Sequence, residues 1–257
     1  MKFFVTGDKH GRFKTFVESN NEVVSNCDNA IIVLGDSGLN YYLNEKDDIL
    51  KSQLNKVGCK WYLLNGNHEM RASRVPGMSY IYDSDVEGGI WYQTDYSNIR
   101  YFNDFGIYKL NEYKIVIIGG AYSVDKYYRL ERGWNWFPDE ELSDEEMDKC
   151  IRLMEGQSFD FVLSHTCPLA YEPKDLFLSF IDQPTVSKRM EEFLDRLKDE
   201  INWNYWLFGH FHADRIEAPH VEQYYNDIDN IEDIITRWKK YDETGELDWW
   251  LNKGPDF

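Results

Sequence analysis

Hydrophobic residues in the first half of the chain come in short unbroken runs, each followed by glycine and a polar side chain. Phe3-Phe4-Val5-Thr6 leads into Gly7-Asp8, Ala30-Ile31-Ile32-Val33-Leu34 into Gly35-Asp36, and Trp61-Tyr62-Leu63-Leu64 into Gly66-Asn67-His68. Such runs predict strands buried on both faces, as parallel strands are. Between them the spacing turns helical. Phe13 to Val17 starts one helix. Ile49, Leu50, Leu54 and Val57 share a face of another over residues 45–57, with Asn44 as its cap. The alternation predicts an α/β fold of parallel strands and crossover helices. The polar residues then sit at the carboxyl ends of strands, where open α/β sheets bind ligands.

From about residue 80 the pattern changes. Ile99–Phe102 and Gly106–Leu110 alternate like antiparallel strands, Asn111-Glu112 reads as a hairpin turn, and Lys114–Ile118 is the return strand. Residues 122–138 are predicted to be irregular and are rich in Tyr, Trp and Arg. Ser143-Asp144-Glu145-Glu146 is a capping box opening a helix to about Glu155. Phe161–Leu163 is a strand ending at Ser164-His165. Thr185 is expected to open a helix carrying Met190, Phe193, Leu194 and Leu197 on one face. Tyr205–Phe208 is a strand ending at Gly209-His210-Phe211-His212. Residues 228–240 suit an amphipathic helix, and residues 241–257 give no readable pattern. Polar motifs run from residue 8 to residue 212, which predicts a single domain over residues 1–257. Its motifs occupy 1–215, and 216–257 form a C-terminal extension of undetermined structure.

Composition narrows the function classes. A net charge of −18 argues against broad binding to a nucleic-acid backbone, which needs many Lys and Arg contacts. Cys27, Cys59, Cys150 and Cys167 have no paired-ligand spacing and read as reduced thiols, Cys167 being structural rather than a metal ligand. No apolar run approaches the roughly 20 residues of a membrane span. Only four residues separate Lys2 from Gly7, too few for a secretory leader. The expectation is a cytoplasmic protein that does not engage membranes. Its aromatic share, 16%, is high and is read mainly as packing.

Five of the six histidines fall in the strand-end segments. Asp8 and His10 alternate on an extended segment between Gly7 and Gly11. Asp36 offers two carboxylate oxygens able to bridge two ions, Asn67 a neutral carbonyl oxygen, and His165, His210 and His212 imidazole nitrogens. Each is ordinary alone, since Asp and Asn are common turn residues. Together they form a mixed nitrogen and oxygen set suited to two divalent ions, Mn²⁺ first, with Fe, Zn²⁺, Co²⁺ or Ni²⁺ as alternatives. Two ions about 3.5–4 Å apart would clamp a phosphoryl group and generate hydroxide from water at neutral pH.

The ordered set Asp8-x-His10, Gly35-Asp36, Gly66-Asn67-His68-Glu69, His165 and Gly209-His210-x-His212 resembles the calcineurin-like metallophosphoesterase superfamily, over residues 1 to about 215. The resemblance implies a two-sheet sandwich flanked by helices, with a dinuclear site at strand ends. It implies Asp8, His10, Asp36 and His212 around one ion, and Asp36, Asn67, His165 and His210 around the other. His68 would contact the phosphate and protonate the leaving oxygen. The protein Ser/Thr phosphatase branch continues its second motif as GDxxDRG, but here Leu39 and Asn40 stand at the Asp and Arg. Another group must then orient His68, with Glu69 a candidate, and another cation must meet phosphate. Arg71, Arg74, Lys126, Arg129 and Arg132 are the candidates, with Asn67, Arg71 and Arg129 taken as substrate contacts.

The expected function is hydrolysis of phosphate mono- or diesters by metal-activated hydroxide. The substrate would be a phosphorylated small molecule, a nucleotide or cyclic nucleotide, or a phosphopeptide. A Ser/Thr phosphatase and a non-catalytic scaffold that binds a protein partner are the alternatives. His220 lies outside every motif and reads as an ordinary loop histidine.

Overall fold

The computed structural model describes residues 1–246. Among them two mixed sheets pack face to face with helices outside. The first sheet has the order β13-β1-β2-β3-β6-β5-β4. Its parallel centre is β1 (Lys2–Thr6), β2 (Asn29–Val33), β3 (Lys60–Leu63) and β6 (Ile99–Phe102). Antiparallel β5 (Gly88–Tyr92) and β4 (Ser79–Asp83) extend one edge, and β13 (Ile228–Asn230) closes the other. The second sheet, β11-β12-β10-β9-β8-β7, repeats the plan. β12 (Val221–Gln223), β10 (Asn202–Phe208), β9 (Ser158–Ser164) and β8 (Tyr113–Ile118) are parallel, between antiparallel β11 (Arg215–Ala218) and β7 (Phe105–Leu110).

The apolar runs form the centres of both sheets because they are covered on both sides. Every residue of β2 is buried. The two inner faces meet through Val5, Ile32, Tyr62, Phe102, Ile117, Phe161 and Leu207. Outside the first sheet lie α1 (Phe13–Ser19), α2 (Asn21–Val24) and α3 (Glu45–Leu54), packed on Ile31, Val33, Trp61 and Leu63. Next along the chain is α4 (Lys126–Arg132), which contributes to the site instead. Outside the second sheet α5 (Asp144–Met154) and α6 (Arg189–Glu200) bury Met147, Cys150, Phe193 and Leu197 against Val162 and Trp206. The Ser143 capping box forms with both of its bonds. Among the described residues no helix is long and apolar enough to cross a membrane.

Three expectations are corrected. Thr185 does not open α6, which begins at Arg189 after an extended Val186; residues 183–185 form only a short 3-10 turn. Residues 228–230 are strand, not helix. Asn230 caps α7 (Ile231–Thr244) by accepting from the Glu232 N–H at 2.8 Å. The irregular stretch 122–138 contains α4, stopped by left-handed Gly133. Residues 216–246 add strands and a helix to the sandwich. β12 pairs with β10 and β13 with β1, and α7 buries Ile234 and Trp238 against the sandwich interior. Of residues 241–257, those from 247 lie outside the described residues.

Candidate metal centre

The polar motifs follow β1, β2, β3, β9 and β10, all at carboxyl ends, so both sheets deliver them to the same end of the sandwich. Backbone hydrogen bonds lock the loops together. Lys9 and His10 N–H both donate to the Asp36 carbonyl, at 3.0 and 2.8 Å. Between sheets, Gly120 N–H donates to Asn65 O at 2.8 Å. Glycine is required where side chains crowd these loops. A Cβ at Gly35 would overlap the His165 ring, and one at Gly66 would overlap the Asp36 carboxylate.

Asp36 is the pivot. Its Oδ1 accepts the His68 N–H at 2.7 Å. Its Oδ2 lies 3.8 Å from His10 Nε2 and 3.7 Å from His165 Nε2. Oδ2 therefore faces both His10 and His165. Asp8 is arranged alike: Oδ1 accepts the His210 N–H at 3.0 Å, while the buried Oδ2 has no hydrogen-bond partner. That orphaned oxygen lies 3.3 Å from His212 Nε2 and 3.9 Å from His10 Nε2. His10 and His212 bring their Nε2 atoms to 2.9 Å of each other.

His165, fully buried, lies with Nδ1 2.8 Å from the Leu34 carbonyl. With its proton there, Nε2 is left as an acceptor beside Asn67 Oδ1, 2.8 Å away. His210 stacks edge-on to His165 with ring centroids 5.0 Å apart. Two groupings, Asp8–His10–His212 and Asp8–Asp36–His165, converge closely enough to hold a metal ion, and a third joins His10, Asp36 and His68. A buried carboxylate oxygen that makes no well-formed hydrogen bond, set among imidazole nitrogens, fits divalent cations.

The electrostatics agree. Burial opposes ionisation of Asp36, but the imidazoles of His68, His165 and His10 and the His68 N–H outweigh it and hold the carboxyl low. Burial pushes His210 down to about 3, aided by His165, so its ring is neutral and presents a lone pair. His212 moves the other way: burial works against the cation, and Asp8 and Asp36 raise it. His68 is driven down to about 4 by burial; Asp36 opposes this and Arg129 adds to it.

Four of the site residues adopt left-handed backbone: His10 at φ 45°, Asp36 at 47°, His210 at 69° and His212 at 54°. Each departs from what a residue with a Cβ prefers, at a cost of about 1–3 kcal/mol, and such positions cluster at functional sites.

The substrate-side expectations divide. Arg129 is at the site although its helix was unforeseen. It is 1% exposed, its Nε donates to Asp125 Oδ2 at 2.8 Å, and its Nη2 contacts both ring nitrogens of His68. Its Nη1 is buried without a partner. Arg71 is engaged within the protein: its Nε donates to the Asp139 carbonyl, Nη1 to Glu146 and Nη2 to the Glu141 carbonyl, so it braces the 139–146 segment. Arg74 pairs with Asp139 at 2.9 Å. Lys126 lies over the Trp136 ring and Arg132 over the Tyr128 ring. Glu69 does not touch His68 either; its carboxylate takes the Ser37 N–H at 3.1 Å and hydroxyl at 2.5 Å. Instead, Arg129 contacts the ring and Asp125 Oδ1 lies 3.9 Å from Nε2. Cys167 is buried, and burial pushes its thiol well above the ordinary range. His220 stacks on Trp238 and reaches Asp242 at 3.0 Å.

Sequence reasoning missed a buried relay behind Asn67. Its Nδ2 donates to Ser123 Oγ at 2.8 Å, and Ser123 donates to Glu140 Oε2 at 2.5 Å. Glu140 is held by the Ser123 N–H and Trp136 Nε1. The relay fixes the amide so that its carbonyl oxygen faces the site. The available signal was Ser123, just past the strand-end Gly119-Gly120.

A search of curated proteins finds no match. Among solved structures, the chain is similar to phosphopantetheinyl hydrolase from Mycobacterium tuberculosis, at 14% identity and a TM-score of 0.46, covering 96% of this chain and 94% of the other. The calcineurin-like phosphoesterase profile matches residues 1–214, the same span that carries the clustered Asp, Asn and His side chains, and the chain belongs to that family.

Proposed function

We propose that this protein is a dinuclear metal-dependent phosphoesterase in which residues 1–246 act as one unit, since both sheets contribute ligands. Asp8, His10, Asp36 and His212 would hold one ion and Asp36, Asn67, His165 and His210 the other. The observation that carries the reading is Asp36 Oδ2, 3.8 Å from His10 and 3.7 Å from His165, with the orphaned Asp8 oxygen beside them. When bound, the ions supply Lewis acidity toward the phosphoryl oxygens and acidify the attacking water. The nitrogen and oxygen donors favour Mn²⁺, Fe or Zn²⁺ over thiolate-seeking metals.

The protein groups do the rest. Arg129, buried beside His68 at rest, would offer its unpartnered Nη1 to a non-bridging phosphoryl oxygen once His68 shifts to admit it, a charge-assisted contact in a nearly buried setting. His68, contacted by Arg129 and near Asp125, would stand beside the leaving oxygen; neutral in the resting site, it would take up a proton when the anionic substrate binds and pass it to that oxygen. Ser123 and Glu140 keep Asn67 turned to its ion.

The test is hydrolysis of p-nitrophenyl phosphate and bis-p-nitrophenyl phosphate by Mn²⁺-loaded protein, with metal content measured on the same sample. Turnover that disappears in Asp36→Asn together with the bound metal supports the reading. Two bound ions and no turnover of either ester would leave a scaffold on this fold.

A further inference from the structure

Two clefts meet at the candidate metal centre, and His68 lines both. The first, about 300 Å³, runs past Asp36, Asn67, His68, His210 and His212 and is walled by Leu176, Phe177, Ile181, Val186 and Phe211. Phe177 stacks on Phe211 at 6.2 Å and 23°, and Phe211 lies edge-on to His210 at 4.8 Å, so the apolar wall reaches the ligand residues. Lys188 also lines it, but is paired with Glu172 at 2.6 Å. The second cleft, about 450 Å³, opens on the other side of His68, past His10 and the exposed Arg12, and is faced by Tyr41, Tyr42 and Trp134. Tyr42 and Trp134 are 41% and 52% exposed, flat surfaces on which a ring can lie.

A phosphate monoester has one substituent and would occupy one cleft. A diester has two. We propose that the substrate is an unsymmetrical phosphodiester, with one apolar substituent held in the Phe177–Ile181–Phe211 cleft and the other bearing a ring against Tyr42 and Trp134. This rests on the phosphoesterase reading and narrows it.

The experiment compares kcat/KM of the Mn²⁺-loaded protein for p-nitrophenyl methyl phosphate, p-nitrophenyl hexyl phosphate and p-nitrophenyl phosphate. The hexyl diester should exceed the methyl diester by about tenfold or more, since each buried methylene contributes. Ile181→Asp should collapse that ratio toward one, and Trp134→Ala should raise KM for both diesters. Binding is read separately by calorimetry with two hydrolysis-inert probes. Diphenylphosphinate should bind about tenfold more tightly than phenylphosphonate, and less so in Trp134→Ala, a half-exposed position whose loss leaves the fold intact. Equal rates for the hexyl and methyl diesters, or preference for the monoester and for phenylphosphonate, would overturn the proposal while leaving the phosphoesterase reading standing. Turnover of none of the three with metal bound would remove both.

Discussion

Arg129 gives the sharpest test of the site. The residue is 1% exposed, one guanidinium nitrogen is tied to Asp125, another lies against His68, and Nη1 has no partner. A buried unpaired N–H of a charged group costs free energy in the resting protein and regains it when an anionic oxygen arrives. A hydrogen bond to a charged group contributes about 1.5–3 kcal/mol. Arg129→Met keeps most of the buried volume and deletes that contact, so kcat/KM should fall about 10- to 150-fold at about 1.4 kcal/mol per factor of ten. Stability should barely move. The Asp125 side chain is 40% exposed and can return to water when its partner goes, which limits that pair to about 1 kcal/mol or less. Arg129→Lys should recover little, because a point charge on a flexible stem cannot span Asp125, His68 and a phosphoryl oxygen together. The assay is steady-state hydrolysis of bis-p-nitrophenyl phosphate with metal content and thermal melting on the same preparations. Retention of kcat/KM within about twofold in Arg129→Met would refute the assignment, as would a loss matched by lost metal or a lowered melting temperature.

Other consequences are measurable. His68→Ala should keep both ions and lose about 10²–10⁴ in kcat, the range for removing a proton donor; metal analysis with single-turnover rates reads it. Ser123→Ala breaks the relay behind Asn67 and should weaken metal binding by about 10- to 100-fold in calorimetric titration, with Ser123→Thr restoring part of it. Glu191, buried and accepting from Thr166 Oγ1 at 2.7 Å, is pushed up to about 7 by burial. The native state then holds more protons than the unfolded chain between about pH 4.5 and 7, so stability falls as pH rises through that window. Chemical denaturation of Glu191→Gln at several pH values should show a shallower slope there and higher stability above pH 7. An unchanged slope would contradict it.

Much of this was legible in the sequence because parallel strands buried on both faces cannot alternate, and the runs before Asp8, Asp36, Asn67, His165 and His210 did not. The Ser143 capping box was legible because both of its partners are local. What escaped depends on partners far along the chain. Nothing near Arg71 reveals that its guanidinium will be taken up by residues 139–146, so an arginine just after Gly66-Asn67-His68-Glu69 read as a phosphate contact. α4 was hidden because seven residues are too few for an apolar period, although Gly133 marked its end. The start of α6 was misplaced because Thr185 looks like a cap, while α6 starts four residues later with no side-chain cap at all. β13 was missed because three residues pairing with β1 leave no alternation to detect.

The backbone at the site explains why its motifs are so short. His10, Asp36, His210 and His212 each turn the chain through a left-handed conformation at the end of a strand. A residue so placed leaves the strand direction at once, so a side chain two to four positions past the last strand residue can point across the end of the sheet. That brings carboxylates and imidazoles from β1, β2 and β10 together without long loops. The strain is sustained by what surrounds it: the Asp36 carbonyl receiving Lys9 and His10 N–H, and the Asp8 carboxylate receiving the His210 N–H. The Asp36 bonds join two loops of the first sheet, and the Asp8–His210 bond joins the first sheet to the second. The geometry of the site and the registration of the sandwich are therefore one constraint, and a change that lets the sheets slide would loosen the clustered carboxylates and imidazoles before it unfolded the chain.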